Sequence, residues 1–115
     1  ALALAAAPAR GQRDAGAPEP ALAGLDLAAL LARGDSAWEA GREGAFPFYH
    51  EVVRRDSAAS SRALFRLATL RAWRNELRAA IALHARYVRE EPRDLEGRVA
   101  LGRVQAWASR WSASI

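Results

Sequence analysis

The chain of 115 residues contains no cysteine, no lysine and only two histidines, His50 and His84. Without cysteine it can form neither a disulfide framework nor a thiolate metal site. Two histidines leave little material for a metal centre built on imidazole. These absences argue against metal-dependent and cysteine-dependent catalysis, and we expect neither a bound metal nor a cofactor.

The positive charge resides entirely in arginine. Seventeen arginines stand against thirteen aspartates and glutamates, which gives a formal net charge of +4. The arginines mostly alternate with acidic residues, whereas a nucleic-acid-binding protein usually clusters its basic residues. Alanine, glycine and proline are also abundant, so the missing lysine is typical of a GC-rich genome. Nucleic acid is therefore not an expected partner.

Motifs for catalysis are missing as well. The sequence has no glycine-rich phosphate loop, no HExxH pair and no nucleophile elbow around a serine. His50 and His84 fall in different predicted helices, and neither has a carboxylate motif beside it. We therefore predict that the protein is not an enzyme and has no catalytic residues.

The first residues resemble the end of a secretory signal peptide. Residues 1–7 are apolar, and a small-x-small triplet at 7–9 precedes the first charge at Arg10. An alanine-rich terminus without a targeting role is the alternative. The apolar run is far shorter than the roughly 20 residues that a membrane-spanning helix needs. We predict an exported bacterial protein, periplasmic or associated with the outer membrane, in which residues 1–24 are a signal remnant and a flexible linker.

From Leu25 onward, apolar residues recur at spacings of three and four, which is the period of an amphipathic helix. Asp26 and Asp94 are suited to N-caps, Gly41 to a left-handed C-cap and Pro47 to a first turn. The predicted helices span residues 27–40, about 44–55, 62–73, 77–91 and 95–108, and a sixth begins at Trp111. The predicted fold class is all-α, without strands.

An Ala-Trp pair occurs three times, with the tryptophans at positions 38, 73 and 107. The spacings, 35 and 34 residues, each accommodate a pair of helices. Phe46, Ile81 and Ile115 follow the three tryptophans at a constant offset of eight residues. Helix pairs that recur with this period are typical of a helical solenoid.

The copies resemble the tetratricopeptide repeat (TPR) family. The matching apolar, small and proline positions are Leu64, Leu67, Ala68, Ala80 and Pro92 in the second copy, and Leu101, Gly102, Trp111 and Ser114 in the third. The resemblance implies a TPR-like helical solenoid of about two and a half helix-turn-helix repeats over residues 25–115, truncated in the third repeat. Two positions depart from the pattern, since His84 replaces an aromatic residue and Tyr87 an alanine. We expect Tyr87 to push the helices apart or to point its ring elsewhere.

The constant offset between each tryptophan and a later apolar residue predicts a structural role for the tryptophans. An indole buries a large apolar area, so we expect the three rings to lie in the core. Each ring and its apolar partner would then close a helix-turn-helix unit from opposite sides of the turn. The alternative is a row of aromatic rings along the groove that stacks on a carbohydrate, a peptide or nucleic-acid bases.

A TPR array presents a concave surface lined by its first helices, and in this family that surface holds a peptide or a partner helix. The resemblance implies these groove positions: Arg62, Phe65, Arg66, Thr69, Glu96, Val99 and Arg103, with Leu27, Leu30 and Gly34 from the first copy. We predict a protein–protein interaction scaffold whose partner is another protein or peptide. Two alternatives remain open. One is a structural segment that packs on a following domain of the same chain, like the TPR segments of outer-membrane polysaccharide-export proteins. The other is a sugar or nucleic-acid binder that uses tryptophan and arginine.

Overall fold

The structure is a computed structural model and describes residues 20–114. Within this range the chain is helical and contains no β-strand, which confirms the predicted all-α class for these residues. The helices are α1 Pro20–Ala23, α2 Leu27–Gly41, α3 Phe46–Arg55, α4 Ser61–Trp73, α5 Leu77–Glu90 and α6 Leu95–Ser114, and a 3₁₀ turn at Glu43–Ala45 precedes α3. None of these helices is long and apolar enough to cross a lipid bilayer.

From α2 onward, each helix packs chiefly on the next helix along the chain. The pair formed by α5 and α6 shows the relative direction of neighbouring helices. Tyr87 near the end of α5 lies against Gly97 near the start of α6. Ala80 near the start of α5 shares a buried cluster with Val104, further along α6. The two helices are therefore antiparallel.

Side chains that cap the helices are placed largely as predicted. The carboxylate of Asp26 accepts a hydrogen bond from the backbone N–H of Ala29 at 2.8 Å, and Asp94 accepts from the N–H groups of the first turn of α6. Ser60 caps α4 in the same way, which the sequence prediction did not include. Pro47 is the second residue of α3, where its missing N–H removes no intrahelical hydrogen bond.

The left-handed residue after α2 is Arg42, not Gly41. Arg42 has φ 67°, and its N–H donates to the carbonyls of Ala37 and Trp38 at 3.0 and 3.1 Å. A positive φ is uncommon for a residue with a side chain. Here the guanidinium lies 5.3 Å from the Trp38 ring centroid, and this contact favours arginine at the position. The predicted glycine C-cap is therefore wrong by one residue.

The predicted break before a sixth helix at Trp111 is also wrong. Helix α6 continues without interruption from Leu95 to Ser114. After Gly102 the segment contains neither glycine nor proline, so no residue in it favours a turn over a helix. The prediction relied on the repeat period alone. Ile115 lies outside the described residues.

The N-terminal boundary lies earlier than predicted. Residues 20–23 form the short helix α1, and Leu22 is only 7% exposed because it packs in the core. The guanidinium of Arg55 donates hydrogen bonds to the carbonyl oxygens of Leu22 and Leu25 and so fixes this turn against α3. The predicted linker is therefore wrong for residues 20–23. Residues 1–19, which include the predicted signal remnant, lie outside the described range, and that prediction remains open.

The core has two parts of unequal size. The N-terminal core joins α1 to α4 around large buried side chains such as Leu30, Tyr49 and Leu67. The C-terminal core consists of Ala72, Ala80 and Val104, with half-buried apolar neighbours. Ala80 is fully buried, as predicted for a small residue at a helix crossing. Two first-copy positions predicted to face the groove, Leu30 and Gly34, are instead buried, because both face the packed interior of the α2–α3 pair.

Candidate functional site

A cleft of about 320 Å³ opens between the first half of α4, the end of α5 and the start of α6. We call it the α4–α6 cleft. It is lined by Ser61, Arg62, Phe65, Arg66, Tyr87, Glu91, Asp94 and Glu96. Its lining combines two aromatic rings with charges of both signs, so it offers both an apolar surface and polar walls.

The apolar part of the cleft is built from aromatic rings in edge contact. The ring centroids of Phe65 and Tyr87 are 5.0 Å apart at an interplanar angle of 70°, and Phe65 meets His84 at 5.4 Å and 80°. These are edge-to-face geometries, one of the arrangements that aromatic pairs prefer. His84 is buried, and burial lowers the pKa of its imidazole, so the ring is neutral at neutral pH.

The basic wall of the cleft is an ion-pair network anchored on α2. Arg62 and Arg66 of α4 both reach the carboxylate of Asp35, at 2.7 and 3.3 Å. The phenol of Tyr49 donates to Asp35 at 2.5 Å and accepts from Arg66 at 2.9 Å. Burial alone would raise the pKa of Asp35, but the hydrogen bonds from Arg62 and Tyr49 outweigh it and hold that pKa below its ordinary value.

The acidic wall is formed by the turn between α5 and α6. The phenol of Tyr87 donates a hydrogen bond to Asp94, which raises the pKa of Tyr87 to about 12. Glu91 accepts a hydrogen bond from the Ser61 hydroxyl at 2.9 Å. Glu96 is exposed and has no hydrogen bond or ion pair through its side chain to another described residue. Its carboxylate forms part of the lining of the cleft.

Four of the seven predicted site residues meet in this cleft, namely Arg62, Phe65, Arg66 and Glu96. The other three do not line it. The hydroxyl of Thr69 donates to the carbonyl of Phe65 within α4, and Val99 and Arg103 lie exposed further along α6. Sequence reasoning missed the contribution of the α5–α6 turn, including Asp94 and Glu91. The available signal was Tyr87, which departs from the repeat pattern where this wall begins.

Tyr87 does not force the helices apart. A Cβ atom on Gly97 would lie 2.6 Å from Cε1 of the Tyr87 ring, so the ring occupies the space that a side chain would fill. The same contact occurs between α2 and α3, where a Cβ on Gly34 would lie 2.7 Å from Cε1 of Tyr49. Glycine on the facing helix thus accommodates a large residue at each of these positions.

A second surface is formed by the tryptophans. Trp38 and Trp73 stack with centroids 6.3 Å apart and planes inclined by 12°. Trp73 is 53% exposed and Trp107 is 38% exposed, so the predicted burial of these two rings in the core is wrong. The constant offset along the sequence does not by itself place an apolar partner over an indole, and the C-terminal core cluster of the described residues contains only Ala72, Ala80 and Val104. Ala72, Trp73, Asn75 and Trp107 line a groove of about 450 Å³, which we call the indole groove.

A third cavity, of about 340 Å³, lies beside His50 between α3 and α5. His50 stacks on Phe46 with centroids 5.6 Å apart, and burial together with the charge of Arg71 lowers the pKa of its imidazole. The other lining residues are Val53, Arg54, Leu67, Arg71, Ala79, Ala82 and Leu83. This cavity is mainly apolar, and it brings no carboxylate or hydroxyl nucleophile to the imidazole.

No group of three or more histidine, aspartate or glutamate side chains in residues 20–114 is placed to hold a metal ion. Comparison with protein-family models, with curated proteins and with solved structures finds no match to this chain. What the cleft and the indole groove can bind must therefore be argued from their own geometry and charge.

Proposed function

We propose that the protein is a non-enzymatic interaction scaffold that binds an extended segment of a partner protein in the α4–α6 cleft. In this proposal α2–α3 and α4–α5 are two TPR-like helix pairs, and α6 begins a third. Packing of each helix chiefly on its successor supports this view, because repeat arrays are built from nearest-neighbour contacts.

The observation that best supports binding is the convergence of side chains from three helices on one cleft. Arg62 and Phe65 come from α4, Tyr87 from α5 and Glu96 from α6. An apolar floor between polar walls is the usual composition of a site that binds a short segment, because the floor contributes affinity and the walls fix orientation.

The charges of the two walls indicate the chemistry of the segment. Arg62 and Arg66 share the single carboxylate of Asp35, so this wall keeps an excess of one positive charge. The opposite wall presents Glu96 and the carboxylates of the α5–α6 turn. We therefore expect a segment with an apolar residue over Phe65, flanked by an acidic residue on the α4 side and a basic residue on the α6 side.

Selection from a random peptide library on the immobilised protein tests this proposal. Enriched peptides should share an acidic, an apolar and a basic position, and Arg62→Gln or Glu96→Gln should each weaken their binding. Both residues are exposed, so these changes leave the core intact. Arg78→Gln, an exposed change on α5, is the matched control and should leave binding unchanged.

The proposal fails if no peptide is enriched. It also fails if the enriched peptides bind the two cleft variants as tightly as they bind the unmodified protein. A Glu96→Arg variant adds a sharper criterion, because it should shift the selected sequences from a basic to an acidic residue at the position facing α6.

A further inference from the structure

The indole groove lies at the end of a stack of planar groups. The guanidinium of Arg66 lies 4.9 Å from the centroid of Trp38, and Trp38 stacks on Trp73. One face of Trp73 is thus covered by Trp38, while the ring as a whole is 53% exposed and lines the groove. Trp107 lines the same groove from α6. The stack therefore ends at a groove that two indoles line.

The charges around this position are mainly positive. On α6, Arg103 precedes Trp107 by four residues, so it lies on the same side of the helix as the indole. The guanidinium of Arg42 lies 6.0 Å from the centroid of Trp73. No acidic residue follows Glu96 in the sequence. Near Trp73, the carboxylates of Glu43 and Glu76 are engaged by Arg74 and Arg71.

We propose that the indole groove binds a nucleoside monophosphate, with the base between Trp73 and Trp107 and the phosphate toward Arg103. A base has the flat π-face that continues an indole stack. A phosphate is an anion that the planar guanidinium of arginine binds through paired hydrogen bonds. The groove, at about 450 Å³, lies within the range of small-molecule sites. This site is separate from the α4–α6 cleft.

The same features argue against other flat or extended ligands. A cationic ring or an arginine-rich peptide would meet the positive charge of Arg42 and Arg103. A neutral sugar would stack without using that charge. Trp38 is already covered by Trp73, Arg66 and Arg42, so Trp73 and Trp107 are the indoles that the groove offers to a ligand. A single base therefore fits better than a run of bases in a nucleic-acid strand.

Calorimetric titration of the 115-residue chain with AMP and with adenosine tests the proposal. AMP should bind at least about fivefold more tightly than adenosine, and Trp107→Ala should weaken AMP binding by at least about fivefold, the lower end of what stacking of one base contributes. Arg103→Gln should weaken the binding of AMP but not of adenosine. Arg93→Gln, an exposed change in the turn that precedes α6, is the matched control and should have no effect.

Circular dichroism of each variant separates loss of binding from loss of fold, and Arg103→Gln is an exposed change that leaves packing intact. The proposal is overturned if AMP produces neither heat nor a shift of the indole N–H signals in NMR spectra. It is equally overturned if adenosine binds as well as AMP, if Trp107→Ala binds AMP normally, or if only an oligonucleotide, an oligosaccharide or a proline-rich peptide binds.

Discussion

The two ends of the molecule use the same tyrosine–glycine contact in different surroundings. Tyr49 on α3 lies over Gly34 on α2, and Tyr87 on α5 lies over Gly97 on α6. In both cases the phenol also donates a hydrogen bond to an aspartate close to the glycine in sequence. The local geometry is therefore shared, and differences in stability between the two ends must come from what surrounds each contact.

At the N-terminal end, Tyr49 is fully buried and its aspartate is held by two arginines. At the C-terminal end, Tyr87 is half-buried, and the adjoining core cluster, within the part of the chain that the structure describes, consists of Ala72, Ala80 and Val104. Large apolar side chains remain exposed there, namely Trp73, Leu95, Val99 and Trp107. The comparison suggests that the N-terminal end provides most of the stability, while the C-terminal end leaves apolar surface available for binding.

Truncation of one core residue at each end should show the largest difference. Leu30→Ala removes a fully buried side chain from the N-terminal core and should lower the free energy of unfolding by about 3 kcal/mol. Val104→Ala removes two methyl groups from the C-terminal core and should cost about 1.5 kcal/mol. Urea unfolding of both variants measures the values. Equal losses would show that the two cores contribute alike.

Adding a methyl group at each glycine should give the next largest effect. Gly34→Ala should cost about 2 kcal/mol, because Tyr49 is enclosed by the core and cannot move away from the new Cβ. Gly97→Ala should cost about 1 kcal/mol, since the half-buried ring of Tyr87 has room to shift.

Gly102→Ala provides the matched control, because a Cβ there would meet nothing within 4 Å. It should be neutral or stabilising by up to about 1 kcal/mol, the helix propensity difference between glycine and alanine. Thermal unfolding midpoints of the three variants make the comparison. A Gly34→Ala variant as stable as Gly102→Ala would contradict the observed packing of Tyr49.

Most of the helical architecture could be predicted because it depends on local signals. Period and caps placed four helices within one or two residues, with Asp26 and Asp94 as the clearest markers. The end of α6 could not be placed, because the expected turn near residue 110 had no glycine or proline to enforce it. The burial of Leu22 was not predicted, because it depends on a residue far away in the sequence. Arg55 on α3 donates a hydrogen bond to the carbonyl oxygen of Leu22 and so holds α1 against the core.

The cleft was predictable only in part. Positions taken from the repeat pattern included Arg62 and Phe65, which do line it. The pattern could not reveal that Asp35, on another helix, neutralises one of the arginines, because ion pairing between helices depends on the tertiary arrangement. Nor could it show that Trp73 is 53% exposed, because the burial of a side chain depends on which residues pack against it in the folded structure.

A buried acidic group should make the N-terminal end sensitive to acid. Hydrogen bonds from Arg54, and then from Arg55, lower the pKa of Glu51 to about 2, although its side chain is only 2% exposed. A lowered pKa stabilises the folded state above the unfolded-state value of 4.5, and this contribution is lost as the pH falls toward 2.

Glu51→Gln should therefore cost about 1.5 kcal/mol at neutral pH and flatten the loss of stability in acid. Asp35, whose pKa is also lowered, retains its own share of the acid response. Urea unfolding across this pH range measures both effects, and an unchanged pH profile would exclude Glu51 as the acid-sensitive group.

The smallest expected losses of stability come from removing the phenol hydroxyl of each tyrosine. Tyr49→Phe should cost about 1 kcal/mol, because it removes both a donor to Asp35 and an acceptor for Arg66, and Tyr87→Phe should cost about 0.5 kcal/mol for its single bond. The bond to Asp94 raises the pKa of Tyr87 to about 12, so its stabilising contribution is present below the unfolded-state value of 10.0 and is lost as the pH rises toward 12.

The chain contains only these two tyrosines, so each single variant leaves one phenol whose ionisation can be followed by ultraviolet absorption. In Tyr49→Phe the remaining phenol, Tyr87, should ionise well above 10.0. Ionisation near that ordinary value would mean that the bond to Asp94 is not maintained in solution, and the two tyrosine–glycine contacts would then share their packing but not their hydrogen bond.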